Sequence, residues 1–100
     1  MYHFESSNNY CPLNIIEKTE KEVSKNFKFN EDDRIQLNSI VQLEKLRCKL
    51  LTKKIEMPEY RLGIKKIEKE CVEKSNRSPF DPYDIHDTFY ETINSLLKDE

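Results

Sequence analysis

The stretch Glu31–Ile55, EDDRIQLNSIVQLEKLRCKLLTKKI, decides how this chain folds. Advancing about 100° per residue, its apolar positions Ile35, Leu37, Ile40, Val41, Leu43, Leu46, Cys48, Leu50, Leu51 and Ile55 cover far more of a helix than the roughly 100° stripe of an ordinary surface helix. A clean polar side is left only to Asn38, Gln42, Lys45, Lys49, Thr52 and Lys53. A helix of this kind needs neighbours on two sides. Its start is marked by Asn30, whose side-chain oxygen suits a cap, and by Glu31, Asp32 and Asp33, three carboxylates at the positive end of the helix dipole. The pattern predicts a helix from there to about Glu56.

Three further helices follow on either side of it. Leu13, Ile16, Val23 and Phe27 share one side of a predicted helix over roughly 12–27, with Ile15 and Thr19 at its border and Pro12 tolerated in its first turn. Met57-Pro58 interrupts the long pattern, because a residue before proline is pushed out of helical geometry. Tyr60, Ile64, Ile67 and Cys71 then draw a narrow stripe over roughly 59–74, with Gly63 a weak point inside it. A narrow stripe fits a single partner, most simply the preceding helix in an antiparallel hairpin. Phe80-Asp81-Pro82-Tyr83-Asp84-Ile85 reads as the next helix start, with Asp81 as cap, Pro82 in the first position and Phe80 stapling onto Ile85. That last helix is expected to bury Ile85, Phe89, Ile93, Leu96 and Leu97, with Tyr83, His86 and Tyr90 along one margin.

Length and composition agree with this plan. One hundred residues with one glycine and four prolines suit one helical core and not a turn-rich β fold. The expectation is all-α: a small bundle of three to four helices, a central helix-turn-helix hairpin, and a single domain over 12–100 preceded by an aromatic arm over 1–11. No apolar run approaches a membrane span, and Met1–Cys11 lacks the basic-then-apolar order of a signal peptide. Cys11, Cys48 and Cys71 are an odd set without a Cys-x-x-Cys pair, so reduced thiols and a cytoplasmic location, with the nucleus open, are expected.

The run Leu43-Glu44-Lys45-Leu46-Arg47-Cys48-Lys49-Leu50, followed by a turn and a second helix, resembles the hairpin of the small aspartyl-phosphate phosphatases of sporulating bacteria. That family's Ser-Gln-Glu-Leu-Asp signature is absent. The corresponding helix reads Ile64-Lys65-Lys66-Ile67-Glu68-Lys69-Glu70, and no residue role carries over.

Catalytic and cofactor chemistry finds little to stand on. One glycine cannot build a phosphate-cradling loop or a nucleophile elbow. No two of Cys11, Cys48, Cys71, His3 and His86 lie within five residues of each other, so the close ligand pairs of structural zinc motifs are missing. His86 sits at the edge of an apolar stripe, where a packed histidine is the commoner outcome than a general base. The reading is therefore a non-enzyme with no cofactor, no metal and no small-molecule substrate.

What remains is binding to a macromolecule. Arg47 and Lys54 fall in the middle of the long helix's apolar arc, where a charge must reach water or pair with a carboxylate. The arm carries Tyr2, Phe4 and Tyr10, residue types enriched at interface hot spots, and either packs on its own bundle or anchors a partner. An adaptor, inhibitor or small assembly subunit results, with Tyr2, Phe4, Tyr10, Ile40, Arg47, Leu51 and Lys54 as its candidate surface. Its partner is another protein or a second copy in a homodimer. The alternative is a nucleic-acid-binding regulator. Residues 45–66 hold Lys45, Arg47, Lys49, Lys53, Lys54, Arg61, Lys65 and Lys66 against only Glu56 and Glu59, and Lys45, Lys49, Lys53, Arg61 and Lys65 would meet phosphates.

Overall fold

The computed structural model describes residues 13–81 and 83–98, and they form four α-helices: α1 (Leu13–Asn26), α2 (Glu31–Leu51), α3 (Met57–Ser75) and α4 (Asp84–Lys98). The all-α bundle expected from the sequence is what forms. The Asn30 side chain accepts a hydrogen bond from the Asp33 amide at 2.8 Å, and Glu31, Asp32 and Asp33 occupy the first turn of α2. Capping and dipole therefore fix that start together.

The long helix ends earlier than its apolar pattern. After Leu51 the Thr52 amide donates to Cys48 O, and Lys53 takes a left-handed conformation at φ 62°. Leu50 and Leu51 are reached within the helix; Ile55 belongs to the turn. Met57-Pro58 marks a beginning and not a break, since proline's missing N–H and fixed φ suit a first turn. Glu56 and Glu59 close a capping box around that start. At the other end of α3, Asn76 adopts the left-handed conformation, φ 59°, and its amide caps Val72 O. The fourth helix begins at Asp84, after Asp81 has been drawn into a turn by its amide's bond to Ser78 O; Phe80 stays 46% exposed.

Three helices make the core. Ile15, Ile16 and Val23 of α1, Leu37, Ile40, Val41 and Cys48 of α2, and Ile85, Phe89, Tyr90 and Ile93 of α4 form one buried cluster, edged by Phe27, Phe29, Leu96 and Leu97. On α1 the wheel was off by one position: Ile15 and Thr19, expected at the border, are buried, while Leu13 faces outward. Thr19 is accommodated because its hydroxyl donates to Ile15 O at 2.7 Å, so no polar group is left bare.

The fourth helix of the set, α3, stands outside that core. Among the described helices it packs on α2 alone, whereas α2 packs on α1, α3 and α4. Contacts run the whole length of the pair. Leu46 lies against Gly63, Gln36 Nε2 reaches Cys71 Sγ at 3.5 Å, and Arg77 Nη1 pairs with Asp33 Oδ1 at 3.3 Å. The hairpin is thus antiparallel from end to end. On the wheel, Leu43, Leu46 and Leu50 point to α3 while Leu37, Val41 and Cys48 point to α1 and α4, so the wide apolar arc of α2 is divided between two neighbours. Gln36 is fully buried at the seam, donating also to Ser78 O at 3.2 Å and tying the α3–α4 loop to α2.

Gly63 sets how closely α3 approaches. A Cβ there would meet Leu46 Cδ2 at 2.7 Å, the flexible end of a side chain. Gly63→Ala gains helix propensity of roughly 1 kcal/mol against that small crowding, and is expected to change unfolding free energy by less than about 1 kcal/mol. Gly63→Leu cannot be absorbed by one rotamer and should lower stability by about 1–3 kcal/mol in urea titration. Equal, small effects of both would mean that α3 is not seated on Leu46.

Candidate functional site

The polar centre of the fold is built on α2, one and two turns before its end. Glu44 is 7% exposed, and its Oε2 accepts a hydrogen bond from the Tyr90 hydroxyl of α4 at 2.7 Å. One turn on, Arg47 Nη1 stands 3.6 Å from Glu44 Oε1. Tyr60 of α3 senses the same carboxylate: burial first, then the Glu44 charge, raises its pKa above the usual value. Burial and then the Glu44 charge likewise push the Tyr90 hydroxyl far above the ordinary tyrosine range. His86 lies one turn before Tyr90, its ring 4.9 Å from that of Tyr90, and burial depresses its pKa despite Asp87 Oδ1 at 3.9 Å. The cluster seats the Glu44 carboxyl group inside the bundle beside a donor hydroxyl and a guanidinium. Its components hold charge and helices in place; no nucleophile stands beside His86 among its described partners.

At the other end, Arg77 links three elements. Its guanidinium pairs with Asp33 and lies 4.5 Å over the Tyr83 ring, beside a cleft of about 330 Å³ lined by Phe27, Asn30, Asp33 and Asp84. This arrangement fastens the α3–α4 loop to the start of α2. A second cleft of about 330 Å³ opens between the beginning of α1 and the end of α2, lined by Leu13, Glu17, Lys45, Cys48, Lys49, Thr52 and Lys54. No group of three or more His, Cys, Asp or Glu is placed to hold a metal ion among the described residues. No helix of the described residues is long and apolar enough to cross a membrane.

The residues singled out from the sequence scatter across this frame. Tyr2, Phe4 and Tyr10 lie outside the described residues. Ile40 is 1% exposed, in the core, and offers nothing to a partner. Arg47 is half-buried and paired with Glu44, so the cation among leucines has an intramolecular carboxylate. Leu51 is half-buried and Lys54 exposed. Of the cations proposed for phosphates, Lys45 bridges to Glu17 at 3.7 Å, while Lys49, Lys53, Arg61 and Lys65 are exposed. Lys49 and Lys53 are on the polar side of α2 and the turn after it; Arg61 and Lys65 are on the outward side of α3.

One expectation is overturned. Cys48 is disulfide-bonded, whereas Cys71 is free and buried. Spacing along the chain does not report distance in space, and the expectation of reduced thiols fails at Cys48 while it holds at Cys71.

The outer face of α3 went unremarked in the sequence. Arg61, Leu62, Lys65, Lys66, Lys69, Val72 and Glu73 share an arc of about 140° opposite α2 and are all exposed. Leu62 is 68% exposed, the most of any large apolar side chain described. The signal was available: Leu62 and Val72 lie off the stripe of Tyr60, Ile64, Ile67 and Cys71. A stripe that narrow, on a helix with one neighbour, leaves every off-stripe apolar residue in water.

No family model, no curated protein and no solved structure matches this chain.

The Glu44 cluster gives the fold a pH window. Tyr90 keeps its proton in the folded state, so the unfolded chain ionises first above pH 10.0 and stability falls as pH rises past that value. His86 resists its proton when folded, so the unfolded chain gains one first below pH 6.5 and stability falls as pH drops. In urea titrations across pH, Tyr90→Phe should remove part of the alkaline loss and cost about 1–3 kcal/mol at neutral pH, because Glu44 loses a donor. His86→Gln should flatten part of the acid limb. Limbs unchanged in both variants would contradict the burial of these two groups.

Proposed function

We propose that this protein is a non-catalytic protein-binding module, an adaptor, inhibitor or assembly subunit, that presents the outer face of α3 to an acidic partner surface. The observation that carries the reading is the isolation of α3. Among the described helices it rests on α2 alone, and around Leu62 it displays Arg61, Lys65, Lys66 and Lys69. Leu62, Lys65, Lys69 and Val72 follow the i, i+3, i+7 succession by which a helix enters a groove. An apolar anchor ringed by cations is complementary to an apolar socket rimmed by Asp and Glu. The surface first drawn from the sequence loses its centre, because α2 spends its surplus apolar arc on α3 and Ile40 on the core.

Nucleic acid is the second reading, and it rests on the same exposed cations with Lys49 and Lys53. The end-to-end antiparallel hairpin lacks the steep helix crossing of a DNA-reading helix-turn-helix, and an exposed leucine at the centre of the cations suits a protein better than a phosphate backbone.

Leu62→Glu places a carboxylate at an exposed position, so folding stability should change by less than about 0.5 kcal/mol. With a partner purified as a complex, the same substitution should weaken affinity by about 30-fold or more, the worth of an interface anchor. In that complex, hydrogen exchange should slow along Arg61–Glu73. Unaltered affinity for Leu62→Glu would reject the α3 surface. A salt-dependent complex with duplex DNA or RNA, lost on replacing Lys49, Lys53 and Lys65 by Glu, would put the nucleic-acid reading in its place.

A further inference from the structure

An acidic surface of the kind that the outer face of α3 fits is carried by the same chain. On α4, Ile85, Phe89 and Ile93 turn into the core, while Asp84, Asp87 and Glu91 fall within an arc of about 60° on the opposite side and are all exposed. Just before that stripe Phe80 and Tyr83 are exposed too, beside Asp81 and Asp84. We propose that the outer face of α3 docks on this face of α4 in a second copy of the chain, head to tail. The proposal rests on the reading of α3 as the binding face and names its partner.

The charges on both faces are unspent. Among the described residues Arg61, Lys65, Lys66 and Lys69 make no ion pair with a carboxylate, Asp84 and Glu91 make none with a cation, and Asp87 has only His86, at 3.9 Å. The two faces cannot satisfy each other within one chain. The stripe of α3 lies opposite α2, that of α4 lies opposite α1 and α2, and the two helices make no contact.

Their spacings match. Leu62, Lys65 and Lys69 stand at i, i+3 and i+7, as do Asp84, Asp87 and Glu91, so each stripe spans about 10 Å of helix. With the two helices side by side and running the same way, Lys65 meets Asp87, Lys69 meets Glu91, and Leu62 comes to the exposed Phe80 and Tyr83. Running the opposite way, Leu62 would meet the exposed Ser95 and Lys98, which give an apolar anchor nothing. Exposed ion pairs are individually weak and screened by salt, so the contact has a dissociation constant on the order of 0.1–1 mM, and a copy at micromolar concentration is free. Because the two faces are different surfaces, each docked copy still offers one of them, and the contact repeats into a chain or a closed ring.

Sedimentation velocity at low salt, from about 10 µM to about 1 mM protein, should show a mass that rises with concentration at constant helicity. The rise should vanish in about 0.5 M sodium chloride, where the Debye length falls to about 4 Å. Two charge-reversed variants locate the contact. Lys65→Glu with Lys69→Glu, and Asp87→Lys with Glu91→Lys, should each weaken association by about tenfold or more alone, and an equimolar mixture of the two should associate again, since each reversed face then finds the other. Circular dichroism reports whether each variant is folded; the single variants Lys69→Glu and Glu91→Lys replace a double variant that is not, with the same pattern expected. The proposal is overturned by a wild-type chain that stays monomeric at low salt throughout that range, by association that survives either reversal, or by a mixture that stays apart. The reading of α3 as a binding face is judged separately, by Leu62→Glu against a partner purified as a complex, where reversing Asp87 and Glu91 has no effect.

Discussion

The rest of the structure depends on one constraint: a helix that is apolar on two sides must be covered on both. Removing apolar surface from water stabilises by about 25 cal/mol per Å², so neither side of α2 can stay open without cost. The core of α1, α2 and α4 answers for Leu37, Ile40 and Val41. The hairpin partner α3 answers for Leu43, Leu46 and Leu50. Everything else about the molecule follows from where these two coverings stop. Between them α2 bears Glu44 and Arg47, a charged pair that neither covering could accept as apolar surface. Beyond the second covering lies the unshared face of α3.

This division gives the two halves of the bundle different characters. The three-helix core is largely apolar, with Ile16, Phe89 and Ile93 fully buried, and the buried carboxyl group of Glu44 is held by Tyr90. The α2–α3 seam is smaller and more polar: Gln36, Cys71 and Ser75 sit in it, and the Ser75 hydroxyl donates to Cys71 O at 2.7 Å. A helix docked on such a seam is held by register as much as by area. Arg77 and Gln36 supply that register, fixing the loop after α3 to the first two turns of α2.

Much of this was legible in the chain. The breadth of the apolar arc in Glu31–Ile55 required two neighbours, met by α3 on one side and by α1 and α4 on the other, and the narrow stripe of Tyr60, Ile64, Ile67 and Cys71 required one, met by α2. Boundaries were harder to read. The end of α2 carries no glycine, since the left-handed position after it is filled by Lys53, and Pro58 signals a start as readily as a stop. The site was less legible than the fold. Ile40 and Arg47 stood out because they lay on a crowded arc, yet crowding marks what folding consumes. Leu62 lies off the stripe of Tyr60, Ile64, Ile67 and Cys71, but that place becomes exposure only because α3 has one neighbour among the described helices, a property of the assembled bundle. The disulfide at Cys48 is a tertiary fact of the same kind.

The most direct test of the account is the solution mass of the chain at micromolar concentration, followed through dilution together with its helicity. With both sides of α2 covered from within, the account predicts a monomer of 12.0 kDa whose helical signal does not depend on concentration. A dimer that loses helix as it dissociates would show that a second copy, and not α3, completes the burial of α2.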